Sequence, residues 1–331
     1  MKKVLSIILA ITLCVAMLAG CSTNKENNRD SAEGKGKKIK IVTTIFPEYD
    51  WVREILGDKA DNADITLLLD NGVDLHSYSP STDDIVKISN CDMFIYVGGE
   101  SDTWAEKALK EAKNKNMVVI NLMDTLGKSV KEEEVKEGME AEKEESNEQC
   151  DEKEYDEHVW LSLKNSSVIC KSICQGLCKI DSKNAEVYKE NLKKYTDKLS
   201  ALDKKYKETM DSANRKTLLF GDRFPFRYLV EDYGLNYYAA FVGCSAETEA
   251  SFKTIAFLSN KVDELSLPCV MTIEGSDHAI AKSIIKNTKE KNQKILTLDS
   301  MQSTTKKDIE NGATYYSVME KNLETLKKAL K

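Results

Sequence analysis

Two segments of this 331-residue chain set a histidine among groups able to hold a metal ion. His76 stands in Asp74-Leu75-His76-Ser77-Tyr78-Ser79-Pro80-Ser81, and His158 in Tyr155-Asp156-Glu157-His158-Val159-Trp160-Leu161. The third and last histidine is His278, in Glu274-Gly275-Ser276-Asp277-His278. Acidic residues occupy matching places in the second half: Asp222 in Leu218-Leu219-Phe220-Gly221-Asp222-Arg223-Phe224-Pro225, and Asp299 in Ile295-Leu296-Thr297-Leu298-Asp299-Ser300. Two imidazoles and two carboxylates suit Zn2+ or Mn2+ and are too rich in nitrogen for Ca2+ or Mg2+. Each residue alone has a plainer reading, since a loop histidine is often a surface residue and an aspartate after a strand often caps the next helix. It is the set that points to a metal. With three histidines in all, the site must be built sparingly. There is no His-Glu-x-x-His pair, and four protein ligands would close the position that a catalytic zinc keeps open. A binding protein is expected, not an enzyme. An exported metallohydrolase with Glu157 or Asp156 as its base is the weaker alternative.

Such side chains need strand ends to carry them. Short β-rich runs fall at residues 39–45, 65–69, 93–97 and 118–122, and again at 218–220, 235–241, 270–273 and 295–298. Stretches with helical spacing, such as 51–56, 82–89 and 253–265, lie between them. That alternation predicts an α/β fold of two lobes, each a four-stranded, mostly parallel sheet flanked by helices. Open sheets of this kind bind ligands at the carboxyl ends of their strands. Residues 182–214 contain no Gly or Pro, and Val187, Leu192, Tyr195, Leu199, Leu202 and Tyr206 recur at helical spacing. One long rigid helix is predicted there, joining a lobe at 39–181 to a lobe at 215–331. Its stripe is too irregular for a coiled-coil dimer, so a monomer is expected. Residues 131–157 hold fourteen acidic side chains among twenty-seven, which predicts a mobile surface loop, either solubilising or cation-gathering.

The N-terminus reads as an address. Lys2 and Lys3 precede an apolar run, and Leu18-Ala19-Gly20-Cys21 closes it with small residues before a cysteine. Residues 1–20 form a secretory signal too short to span a membrane with confidence, and 21–38 a polar tether. Seven cysteines remain beyond Cys14 and Cys21, an odd number for a disulfide framework. Cys170, Cys174 and Cys178 recur every four residues on one helical face. They are expected as buried free thiols, because no Cys-x-x-Cys pair supports a thiolate cluster. With 48 Lys+Arg against 55 Asp+Glu, the net charge of −7 argues against a nucleic-acid partner.

From about Lys40 onward the chain resembles the metal-binding lipoproteins of bacterial ABC importers for zinc and manganese, the cluster A-I substrate-binding proteins. Val42-Thr43-Thr44-Ile45-Phe46-Pro47, the segments around His76 and His158, the long central helix and Tyr315-Tyr316…Met319…Asn322-Leu323 carry the likeness. The resemblance implies that His76, His158, Asp222 and Asp299 are the metal ligands. Glu274, His278 and Arg223 are placed to steady them, although His278 could be a surface residue and Arg223 could pair elsewhere. It implies a lipid on Cys21, an extracytoplasmic location on the outer face of the cell membrane, and delivery of the ion to an ABC permease with its ATPase. Asp222 in place of a third histidine, and an acidic rather than His-rich loop, shift the set toward harder ions such as Mn2+. The stretch 221–228 looks most like a zinc branch, so Zn2+ is favoured over Mn2+. A surface adhesin on the same fold is the other alternative.

Overall fold

The computed structural model of the protein describes residues 38–140, 154–245 and 249–331. The signal, Cys21 and nearly all of the tether lie outside the described residues, as do 141–153 of the acidic segment. The alternating pattern folds as expected. In chain order come β1 (Ile39–Thr43), α1 (Phe46–Leu56), β2 (Ala63–Leu67), α2 (Thr82–Ser89), β3 (Met93–Tyr96), α3 (Thr103–Lys110), β4 (Val118–Asn121), α4 (Leu122–Leu126) and α5 (Leu163–Ile180). The long helix α6 (Ala185–Asp211) leads to β5 (Thr217–Phe224), α7 (Arg227–Tyr233), β6 (Asn236–Val242), α8 (Phe252–Glu264), β7 (Cys269–Ile273), α9 (Ala279–Asn287), β8 (Lys294–Leu298), α10 (Lys306–Glu310) and α11 (Tyr315–Ala329). The two sheets run β2-β1-β3-β4 and β6-β5-β7-β8, parallel throughout. Strand progression reverses between β1 and β3 and between β5 and β7, where open sheets leave a crevice.

One apolar core runs from Trp51 and Phe94 of the first lobe, through Tyr195, Leu199 and Tyr206 of α6, to Phe220 and Leu326 of the second. A smaller cluster around Leu219, Leu258 and Ile284 closes the second sheet. Polar bonds pin α6 to both lobes. Asn191 Nδ2 donates to Ile55 O at 3.0 Å, and Tyr206 Oη to Met319 O at 2.6 Å. Its 27 residues span roughly 40 Å at 1.5 Å per residue, a rigid strut. The C-terminal helix crosses back to the first lobe, where Tyr315 N donates to Asp50 Oδ2 at 2.8 Å. All six described cysteines are free. Cys170 and Cys174 are buried on one face of α5, as their spacing requires.

The expected loop at 131–157 is described only at its flanks, 131–140 and 154–157. Its described flanks are not loose: Asp156 N donates to Lys131 O at 2.9 Å, and Glu133 N to Glu154 O at 2.9 Å. Beyond them Glu140 N donates to Ala240 O at 2.9 Å, which extends the second sheet at β6. Some charges of the described flanks are paired. Glu134 pairs with Arg227, and Lys131 with Glu231 at 2.7 Å. Composition missed this because backbone pairing along a sheet edge depends on no particular side chain.

Glu48 sits fully buried at the first turn of α1, accepting from Thr44 N at 2.8 Å and Ile45 N at 3.3 Å. Burial, with Asp102 nearby, pushes its carboxyl from the ordinary 4.5 up to about 8. The folded chain therefore holds a proton that the unfolded chain loses near 4.5, so this stabilisation is complete below that pH and fades as pH rises through about 8. Glu48→Gln keeps the acceptor and cannot ionise. It is expected to raise the melting temperature at about pH 9, leave it nearly unchanged at about pH 5, and flatten the profile between them. Parallel profiles for parent and variant would contradict the buried, protonated carboxyl.

Candidate metal centre

His76 lies in the 3-10 turn Leu75–Ser77 that follows β2, and Asp74 caps that turn through Oδ1, which accepts from His76 N at 3.0 Å. His158 opens the 3-10 turn Val159–Leu161, where Asp156 Oδ1 accepts from His158 N at 2.8 Å. These two short turns aim the imidazoles at each other, with their Nε2 atoms 3.1 Å apart. Two nitrogens bound to one tetrahedral zinc at about 2.0–2.1 Å would stand roughly 3.3 Å apart, so the spacing fits a shared ion.

The other ring nitrogens face acceptors. His158 Nδ1 is 3.0 Å from Asp156 Oδ1. His76 Nδ1 is 2.8 Å from Ser101 Oγ and 3.5 Å from Glu157 Oε2, and Glu157 Oε1 accepts from Ser101 N at 2.9 Å. A carboxylate behind each Nδ1 favours a proton there, which leaves the Nε2 lone pairs free for a cation. Burial and the neighbouring His158 push the His76 imidazolium down to about 3. Burial also opposes a charged His158, but Asp156, Glu157 and Asp74 more than offset it and hold that ring above the ordinary imidazole value. Below that raised value the metal-free pair takes up its proton on His158. An incoming ion must displace it, so affinity is expected to fall about tenfold per pH unit once pH drops below that raised value. Titrations across pH with one fixed competitor check this, and a flat profile would contradict it.

Asp222 and Asp299 are not gathered with the imidazoles. β5 runs longer than the sequence suggests, with a register shift between Phe220 and Arg223, so Asp222 sits inside the strand. Its oxygens accept from Arg223 N at 2.9 Å and Ile273 N at 3.2 Å, and it faces a separate cavity of about 490 Å3 with Asp74 and Glu274. Asp299 follows β8 as expected, and its Oδ1 accepts from Met301 N at 2.8 Å. Burial, with Glu274 beside it, pushes that carboxyl up to about 7.

The three supporting residues also find other work. Arg223 sends its guanidinium away from the Asp222 carboxylate, to Asp74 Oδ2 at 2.7 Å and Ser245 O at 3.3 Å, and so ties the second sheet to the turn carrying His76. Glu274 accepts from Ser300 N at 2.7 Å and Gln302 N at 3.0 Å, shaping the loop that sets Gln302 Oε1 3.2 Å from His158 Nε2. His278 caps α9 at a φ of 63°, and its Nδ1 is buried without a partner, away from the pair. Among the described residues, the donors that stand within 4.8 Å of one another are those of His76, His158 and Cys244. Cys244 is not among the residues the sequence singles out. Its place just beyond a strand end, in Val242-Gly243-Cys244-Ser245, was the available signal.

Two lobes on a helical strut thus present an imidazole pair at their facing edges. Residues 41–329 match the ZnuA family, described as zinc-uptake complex component A, periplasmic, and the chain belongs to that family. It is 33% identical over 328 residues to the zinc-binding lipoprotein AdcA of Streptococcus pneumoniae, covering 99% of this chain and 61% of that one. To the high-affinity zinc uptake system protein ZnuA of Bacillus subtilis it is 30% identical over 332 residues, covering 100% and 99%. The fold is similar to the crystal structure of the Zn(II)-bound ZnuA-like domain of S. pneumoniae AdcA, with a TM-score of 0.68 and 28% identity over 88% of this chain and 99% of that one. The chain spans 56% of the length of the AdcA protein of Streptococcus pyogenes that it matches.

Proposed function

We propose that this protein captures one zinc ion outside the cytoplasm and delivers it to an ABC permease driven by an ATPase, acting as a binder and not as a catalyst. The observation that carries the reading is the pair of Nε2 atoms 3.1 Å apart, each ring backed by a carboxylate. Membership of the zinc-uptake family and the zinc-binding relatives support zinc over manganese. Lipid attachment at Cys21, with the tether holding the lobes on the outer face of the membrane, belongs to the same proposal. So do lobes at 39–181 and 215–331 on a linking helix at 182–214, acting as a monomer.

His76 and His158 are the nitrogen ligands of the proposed site. Asp222 and Asp299 enter as oxygen ligands from the sequence alone, and their backbone partners make them its sharper test. Elemental analysis and zinc titration of the mature protein should give one ion per chain. Asp222→Ala or Asp299→Ala that keeps the parent affinity removes that residue from the ligand set, and a parent that binds no zinc overturns the proposal.

A further inference from the structure

The geometry points to Cys244 as a third ligand of the captured ion, a thiolate set beside the imidazoles of His76 and His158 that tilts the site toward zinc and away from manganese. This deepens the zinc-capture reading and rests on it. The sulfur and a nitrogen of each ring lie within 4.8 Å of one another, a convergence shared by no other trio of His, Cys, Asp or Glu donors among the described residues. The three come from both lobes: His76 from the turn after β2, His158 from the return of the acidic segment, and Cys244 from the end of β6. Closing an ion between them would join the lobes.

The position is built. Cys244 N donates to Glu133 Oε1 at 3.3 Å, which fixes the backbone beside the sulfur. Gly243 precedes it where a Cβ would meet Phe224 O at 2.9 Å and the His158 ring at 3.0 and 3.1 Å. The missing side chain is what lets the end of β6 press against that imidazole. A second, independent observation also points to a cation. A cavity of about 250 Å3 opens on His76, Cys244, Ser101 and Glu157. Glu157 is 2% exposed, and its Oε2 has no hydrogen-bond partner. That oxygen faces His76 Nδ1 only as a long ion pair at 3.5 Å, and a divalent ion beside the rings would further offset the cost of burying the carboxylate.

On binding, the S–H bond breaks, the proton passes to water, and the sulfur lone pair displaces one water from the hydrated ion. No electron changes hands. Zinc accepts thiolate sulfur alongside imidazole nitrogen in tetrahedral geometry, whereas Mn2+ prefers oxygen donors. A thiolate therefore separates the two ions more sharply than two further carboxylates would.

The test loads the reduced mature protein with Co2+ as a spectroscopic substitute for zinc, and titrates parent and Cys244→Ser with Zn2+ and Mn2+. A sulfur-to-cobalt charge-transfer band in the near ultraviolet is expected for the parent and absent from the variant. Zinc affinity should fall at least about tenfold in Cys244→Ser, with a smaller change for manganese. If the parent lacks the band, or the variant binds zinc as the parent does, Cys244 is not a ligand. The capture reading then still stands, provided His76→Ala and His158→Ala lose the metal. Should Cys244→Ser fail to fold, the cobalt spectrum of the parent decides alone.

Discussion

His158→Ala is expected to lower zinc affinity at least a hundredfold, and His76→Ala to do nearly as much. Removing a group that merely orients a ligand costs about 10- to 100-fold, so removing the ligand itself sets that as a floor. His158 should show the larger loss for two structural reasons. It is fully buried, and its ring is held at both ends, by Asp156 at Nδ1 and beside Gln302 at Nε2. Asp156→Asn supplies the graded comparison: the ring stays, its tautomer is less firmly set, and an intermediate loss of about 10- to 100-fold is expected. Competition against a chromophoric chelator measures all three. Melting temperatures of the metal-free proteins separate lost ligation from lost folding. Parent-like affinity in His158→Ala would remove the pair from the site.

Trp160→Ala is expected to destabilise the metal-free protein by about 3–5 kcal/mol, the range for removing a large buried aromatic side chain. Trp160 is fully buried, and its Nε1 donates to Ser300 O of the second lobe at 2.8 Å. Its own carbonyl accepts from Tyr315 Oη at 2.7 Å. The residue is thus a joint between the first lobe, the loop carrying Gln302 and the C-terminal helix. Its ring also stands 5.2 Å from that of His158, so the hole left behind should loosen the imidazole and weaken zinc binding as well. Trp160→Phe refines the prediction: most packing is retained, the N–H is lost, and Ser300 O is left without that donor, at a cost of about 1–3 kcal/mol. Urea denaturation monitored by circular dichroism reads both variants. A loss below about 1 kcal/mol in Trp160→Ala would show that the joint is not needed.

Much of this was legible in the sequence because its causes are local. Eight strands fell close to their predicted runs because β-branched residues and period-two or continuous apolar patterns are short-range features. The absence of Gly and Pro over 182–214 announced the long helix in the same way. Both histidines of the pair were visible because few histidines exist to choose among, and each lies two residues after an aspartate that turns the backbone, although the groups behind His76 Nδ1 come from distant segments. Arg223 is harder: its place beside Asp222 leaves open whether it steadies that residue or pairs elsewhere, and the strand geometry sends its guanidinium across to Asp74. The flanks of the acidic segment were hidden for the opposite reason: they are held by backbone bonds, which a charge count does not register.

The sequence by itself determined the two-lobed α/β class, the strut between the lobes and the imidazole pair, since each follows from residue type and spacing along one segment. Only the tertiary structure decided which further donors stand near the pair. Asp222 sits at the register shift in β5 and faces a separate cavity, Asp299 gives an oxygen to its own loop, and Gly243 lets the end of β6 bring the Cys244 sulfur near the two rings. Those outcomes depend on how strands from distant parts of the chain pack edge to edge. Ligand spacing across a cleft is a property of that packing, and no single segment of sequence contains it.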